Sequence, residues 1–214
     1  TFNGRLLTTI AKKHNISNGS LQHGNVYNDF LHKKHIVDTY FCFASQSAKI
    51  LAKDFKGRIV ISGSLFINAN LKSFITKSDQ IGEYILIALS GHGHSTSKKN
   101  YKQQLKLILK VIQKNQKSKF IIKLHPKEKM EDYSDYFGLK NVTIININNN
   151  EFQVHSIFPL LINAKRVVSG ISTVTLEALI LKIPVITLDP FDEYMESDLI
   201  LNNITNQAKC FDTL

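Results

Sequence analysis

Apolar positions along this chain switch between two rhythms, and the alternation predicts strands followed by helices. Arg5 to Lys13 carries a helical stripe, and Ile16 to Gln22 reads as a strand. Asp38 to Phe43 is a second strand, rich in aromatics, which suit a pleated surface. Gln46 to Lys53 is a short helix and Arg58 to Ile61 a third strand. Asn68 to Gly82 is a looser stretch of Asn, Lys, Ser, Thr and Gly, and it marks a domain boundary.

The pattern then sharpens. Tyr84 to Leu89 is a continuous apolar strand, and Lys98 to Lys117 a long helix with Leu105, Ile108, Leu109 and Ile112 on one face. Strands follow at Lys119 to Leu124, Val142 to Ile147, Arg166 to Ser169 and Pro184 to Leu188. Helices are expected at Glu131 to Phe137, His155 to Asn163 (interrupted near Pro159) and Thr173 to Leu181. Alternating strands and helices imply βαβ units around parallel sheets covered on both faces, an α/β fold. The apolar strands agree, because a strand buried on both faces need not alternate. The expected division is residues 1–68 as one Rossmann-like domain, 69–82 as linker and 83–214 as a second such domain. The chain opens on Thr1 inside a helical pattern. It reads as a piece of a longer protein.

Composition narrows the function classes. Of 214 residues, 43% are hydrophobic and 21% charged, ordinary values for a globular chain. Two cysteines provide neither a disulfide framework nor a zinc signature, and a reducing cytoplasm is expected. No apolar run approaches the roughly 20 residues of a membrane span. The net charge of +10 favours anionic partners. Without zinc-finger spacing or an RNP pattern, nucleic acid is not the expected one. Lys102, Lys106, Lys110 and Lys114 form a basic stripe, read first as a solvated helix face and second as a contact for an anionic membrane.

Polar clusters follow several strands, where a parallel sheet binds its ligands. Gln22-His23-Gly24 places an imidazole that could act as a general base, or simply occupy a turn. Ser90-Gly91-His92-Gly93-His94 offers small residues ahead of a helix that could cradle a phosphate, or merely cap that helix. It matches neither phosphate-loop motif, and two histidines are too few for a zinc site. Lys123-Leu124-His125-Pro126 puts His125 at a strand end, able to donate to a phosphate oxygen, with Pro126 fixing the turn. Ser169-Gly170-Ile171-Ser172-Thr173 turns into a helix that Ser172 or Thr173 could cap, and Glu177 lies one turn on. Asp189 to Glu193 could hold a ribose or an acceptor, but a solvated loop is the favoured expectation.

Taken in order, Lys123-Leu124-His125-Pro126, Ser169 to Thr173, Glu177-Ala178 and Pro184-Val185-Ile186 resemble the C-terminal domain of GT-B enzymes. The nearest resemblance is to bacterial capsule and teichoic-acid transferases: CDP-glycerol glycerophosphotransferases, polysialyltransferases and capsular Kdo transferases. It covers residues 84–190 well and 5–65 loosely. It implies a GT-B fold of two Rossmann-like domains, the N-terminal one incomplete. Residues 1–68 would then be the end of the acceptor-side domain and 83–214 the donor-binding domain.

The resemblance further implies a metal-independent transferase acting in surface polysaccharide synthesis, at the cytoplasmic side of a membrane. Its substrates would be a nucleotide-activated donor, CMP- or CDP-linked, and a glycan or lipid-linked acceptor, with no other cofactor. His125 and Pro126 would meet the donor phosphate together with Ser90, Gly91, Ser172, Thr173 and Glu177, and His23 would be the acceptor-side base. Two alternatives share these residues: a UDP-sugar 2-epimerase of the same architecture, and a non-catalytic glycan- or nucleotide-binding domain.

Overall fold

The computed structural model describes residues 2–22, 26, 36–64, 83–93, 96–146, 157–170, 172–193 and 206–208. The chain divides into two compact units, Thr1–Ala69 with Glu196–Asp198, and Asn70–Met195 with Leu199–Leu214. The expected linker, 69–82, lies outside the described residues, as do His23 and Gly24.

In the first unit, β1 (Gly19–Leu21), β2 (Thr39–Cys42) and β3 (Arg58–Ile61) form a parallel sheet in the order β1-β2-β3. Tyr40 and Cys42 on the central strand pack with Val26, Leu51 and Phe55, the last two contributed by the Ser45–Leu51 helix and the turn after it. The Phe2–Lys13 helix ends at the expected Lys13, but β1 begins at Gly19, three residues after the expected Ile16. Asn15 takes a left-handed φ of 54° and Ile16 N–H reaches back to the Ala11 carbonyl at 2.8 Å. That is a Schellman-type stop, so Ile16 closes the helix instead of opening β1.

The second unit holds a six-stranded, all-parallel sheet. Its strands are β4 (Tyr84–Ala88), β5 (Lys119–Lys123), β6 (Val142–Ile145), β7 (Ala164–Ser169), β8 (Val185–Leu188) and β9 (Asn206–Ala208). The order is β6-β5-β4-β7-β8-β9. The chain winds outward from β4 one way and from β7 the other, the Rossmann order, so the strand sequence reverses between β4 and β7. Alternate residues feed two cores. Ile87, Phe120, Ile122 and Leu188 pack under the Lys98–Lys114 helix with Ile108, Ile112 and Tyr133. Leu86, Val167 and Val185 pack on the other side with Leu160, Leu161 and Ala178 from the Phe158–Ile162 and Thr173–Ile180 helices.

Several boundaries differ from expectation for local reasons. The long helix stops at Lys114, because Asn115 leaves helical φ/ψ and folds its side-chain amide onto the Val111 carbonyl at 2.8 Å. Its inner face also includes buried Asn100, Tyr101 and Gln104, whereas Lys102, Lys106, Lys110 and Lys114 are solvated. Residues Met130–Tyr136 form a 3-10 turn, kinked at Tyr133, in place of an α-helix. Pro159 starts the Phe158–Ile162 helix and does not interrupt one, the position where a missing N–H costs nothing. β7 begins two residues early at Ala164, and β9 was not anticipated. Among the described residues no helix is long and apolar enough to cross a membrane.

Candidate functional site

All six strands run parallel, so the loops that follow β4, β5 and β7 emerge on one rim of the sheet. Pairing of Ile87 with Ile122 and of Ala88 with Ser169 brings those strand ends level with one another. Ser90-Gly91, the His125 turn and the Ser169–Thr173 loop therefore share that rim, around the point where strand order reverses. Ligands of open α/β sheets bind in this crevice.

His125 opens a tight turn, with Pro126 at its second position and Glu128 N–H donating to the His125 carbonyl at 2.9 Å. Glu128 folds back beneath it. Its carboxylate accepts the His125 N–H at 2.7 Å and the Tyr133 hydroxyl at 2.8 Å, while 8% exposed. Burial raises the Glu128 proton affinity, and the hydrogen bonds from His125 and Tyr133 partly offset that. The Lys127 N–H donates to His125 Nδ1 at 3.1 Å. An accepting Nδ1 leaves the ring proton on Nε2, the nitrogen free to donate outward. Burial, then Lys123, then Lys127 push the imidazole below its ordinary pKa. It is thus a neutral donor with a defined tautomer near pH 7, suited to an oxyanion.

The loop after β4 rests on the same carboxylate. Gly91 is buried with φ of 68°, and a Cβ there would lie 3.0 Å from the Glu128 Cγ, so only glycine fits without strain. The Ser90 hydroxyl is buried and makes no hydrogen bond to the described residues. His92 leaves the rim and packs its ring against Tyr101, centroids 5.9 Å apart.

After β7, the Thr175 hydroxyl ties the loop down, meeting Ser169 Oγ at 2.8 Å and donating to the Gly170 carbonyl at 2.9 Å. Ser172 stands at the N-cap with extended φ/ψ, but its side chain does not make the capping hydrogen bond. The side-chain cap expected from Ser172 is therefore not formed, and its backbone carbonyl instead accepts the Thr175 N–H at 3.1 Å. Thr173 is half-buried in the first turn, and Glu177 is 5% exposed one turn later. Burial drives the Glu177 carboxyl up to about 7, against the pull of Lys123. Lys123, at the end of β5, is itself lowered by burial and feels both Glu128 and Glu177. One half-buried lysine thus couples electrostatically to the carboxylates of the His125 turn and of the Thr173–Ile180 helix.

Asp189 to Glu193 departs from the solvated loop expected. Asp189 is fully buried and accepts from Asn100 Nδ2 at 3.2 Å and from the Glu193 N–H at 2.8 Å. Glu193 in turn accepts the Ser97 N–H at 2.9 Å. The segment is an anchor that locks onto the start of the Lys98–Lys114 helix. Sequence reasoning overlooked Glu128 and Thr175. An acid three residues after a histidine in a proline turn is the signal that points to Glu128. Among the described residues no three His, Cys, Asp or Glu side chains converge as metal ligands would.

The sheet order and this rim define an α/β fold of the GT-B type, with parallel sheets in two units. Among solved structures, it resembles the UDP-GlcNAc 2-epimerase of Neisseria meningitidis bound to UDP-GlcNAc (17% identity, 96% of this chain, 62% of that chain, TM-score 0.69). It is similar to the Methanocaldococcus jannaschii UDP-GlcNAc 2-epimerase in complex with UDP-GlcNAc and UDP (18%, 96% and 62%, TM-score 0.69). It also resembles the wall teichoic acid polymerase TagF (16%, 86% and 53%, TM-score 0.51). The chain spans about three-fifths of the epimerases' length. No protein-family model matches the sequence, and no curated protein does.

Proposed function

We propose that this chain is the donor-binding part of a GT-B transferase that moves a sugar or polyol phosphate from a CMP- or CDP-linked donor. The product would be a bacterial capsule or surface polysaccharide, made at the inner face of the membrane on a glycan or lipid-linked acceptor. One observation carries the proposal. A neutral imidazole with Nε2–H and the N-terminus of the Thr173–Ile180 helix follow β5 and β7 on the same rim, either side of β4. Both favour a phosphate that gains negative charge as it departs.

In this function His125 and the Ser172-Thr173 helix start hold the departing nucleotide phosphate, with Pro126 fixing the turn and Ser90-Gly91 closing the site from β4. Glu177, close to half-protonated at neutral pH, can exchange hydrogen bonds with a hydroxyl of the nucleotide. His23 takes the proton of the attacking acceptor hydroxyl. No metal or cofactor is required beyond the donor.

An epimerase acting on a UDP-sugar is the second candidate. It is favoured by the higher TM-scores of the two epimerases, 0.69 each against 0.51 for the polymerase. Thermal-shift titration of the chain with CMP, CDP, UMP and UDP tests the nucleotide site, whose occupancy raises Tm with ligand concentration. Product analysis with UDP-GlcNAc and with CMP- and CDP-linked donors then separates the reactions. No shift with any nucleotide would leave a non-catalytic glycan-binding domain in place of both.

A further inference from the structure

Behind the His125 turn lies a second concavity, on the side of the sheet covered by the Lys98–Lys114 helix. It is a cleft of about 320 Å³ lined by His92, Lys98, Tyr101, Lys102 and Leu105 from β4 onward, and by Lys127, Lys129 and Asp132 after β5. Four lysines and one aspartate leave an excess of three positive charges around it. None of the four makes an ion pair with a described residue, Asp132 included. Two of them, Lys98 and Lys102, belong to the opening turns of a helix with no acid in its first turn. Cations at that end oppose the helix dipole, so stability alone does not account for them. Tyr101 (2% exposed) and Leu105 give the cleft an aromatic and aliphatic wall, with His92 packed on the tyrosine ring. A cationic rim over an apolar wall suits an oxyanion carried on an organic body better than a bare ion.

The geometry points to this cleft as a second anion site, which takes the phosphate group of a phosphorylated small molecule or headgroup, separately from the crevice between β4 and β7. Lys127 belongs to both places: its N–H holds His125 Nδ1 and its side chain lines the cleft. An occupant of the cleft is therefore one residue away from the imidazole. The site does not depend on the function proposed above, since it uses neither Ser172, Thr173 nor Glu177.

The test compares the full chain with a Lys98→Ala/Lys102→Ala variant, both positions being solvent-exposed, with circular dichroism to check the fold. Calorimetric titration with sn-glycerol 3-phosphate probes a soluble source. Co-sedimentation with phosphatidylcholine vesicles, with and without phosphatidic acid, probes a lipid headgroup. Binding in either arm that weakens roughly tenfold or more in the variant supports the site, as the loss of charge-assisted contacts requires, and the arm that responds names the source. CDP affinity should be the same in both proteins. Absence of binding in both arms overturns the proposal, as does binding undiminished in the variant or a variant that loses CDP along with phosphate. The glycerol-phosphate and vesicle arms are read without CDP, so they decide the proposal even where the unmodified chain binds no CDP.

Discussion

The Lys127 N–H donates to His125 Nδ1 at 3.1 Å, so the backbone of one turn selects the tautomer of its own histidine. Nitrogen-15 NMR at pH 7 should show a neutral ring protonated on Nε2, titrating below the ordinary 6.5 because of burial and the two flanking lysines. The unfolded chain then binds the proton more readily. Stability from this group is complete above about 6.5 and is lost as pH falls through the folded pKa. In the proposed transfer reaction, His125→Ala should lower turnover by about 10²-fold, the scale for losing one oxyanion donor. Turnover within a few-fold of wild type would remove His125 from the chemistry.

Glu177 predicts a pH dependence of the opposite sign. Its folded carboxyl titrates near 7 against 4.5 in its ordinary state. The native state therefore holds the proton more tightly, and the associated stability is full below about 4.5 and gone once pH rises past 7. Glu177→Gln, neutral throughout, should gain on wild type between pH 5 and pH 8, by up to about 3 kcal/mol for a shift of this size. Urea midpoints of the two proteins at both pH values check this; a constant difference would show that Glu177 titrates normally.

Glu128→Ala strips the partner from two donors, the His125 N–H and the Tyr133 hydroxyl. Leaving buried donors unsatisfied costs about 1–3 kcal/mol each. Denaturant unfolding should register a loss in that range or above, accompanied by weaker nucleotide binding as the His125 turn loosens. Full nucleotide affinity in a folded Glu128→Ala protein would mean that Pro126 alone holds the turn.

Gly91→Ala meets two obstacles, a φ of 68° and a Cγ of Glu128 at 3.0 Å from the new methyl. The strained backbone alone costs on the order of 1–3 kcal/mol. Combining it with Glu128→Ala should relieve the steric part but not the backbone part. A double-mutant cycle by thermal melting would then show the two changes to be non-additive. Strict additivity would place the two loops out of contact.

Thr175→Val keeps the shape of the side chain and removes the hydroxyl shared by Ser169 Oγ and the Gly170 carbonyl. The expected loss is about 1–2 kcal/mol, typical of a buried hydrogen bond left half-made. Thr175→Ser should recover most of it, as read from melting temperatures.

Much of the candidate site was legible one residue at a time. His125-Pro126 and Ser169 to Thr173 fall at strand ends, and a strand end is visible in an apolar run closed by Pro or Gly. The two carboxylates beneath and beside them were less so. Glu128 looks like one more acid among lysines until the turn folds it inward, and Asp189 looks solvated until Asn100 arrives from 89 residues away. Burial of a charged side chain depends on which distant surface closes over it, and no local period encodes that.

By itself, the order of apolar runs determined that this protein is built of parallel βα units, because alternation between two periodicities is a short-range property of the chain. Which strand lies beside which was decided only in the folded state. There β4 and β7, some 80 residues apart in the chain, became neighbours at the centre of the sheet. That adjacency follows from burying both faces of every inner strand at once, a condition on the whole sheet that no single segment can meet or reveal.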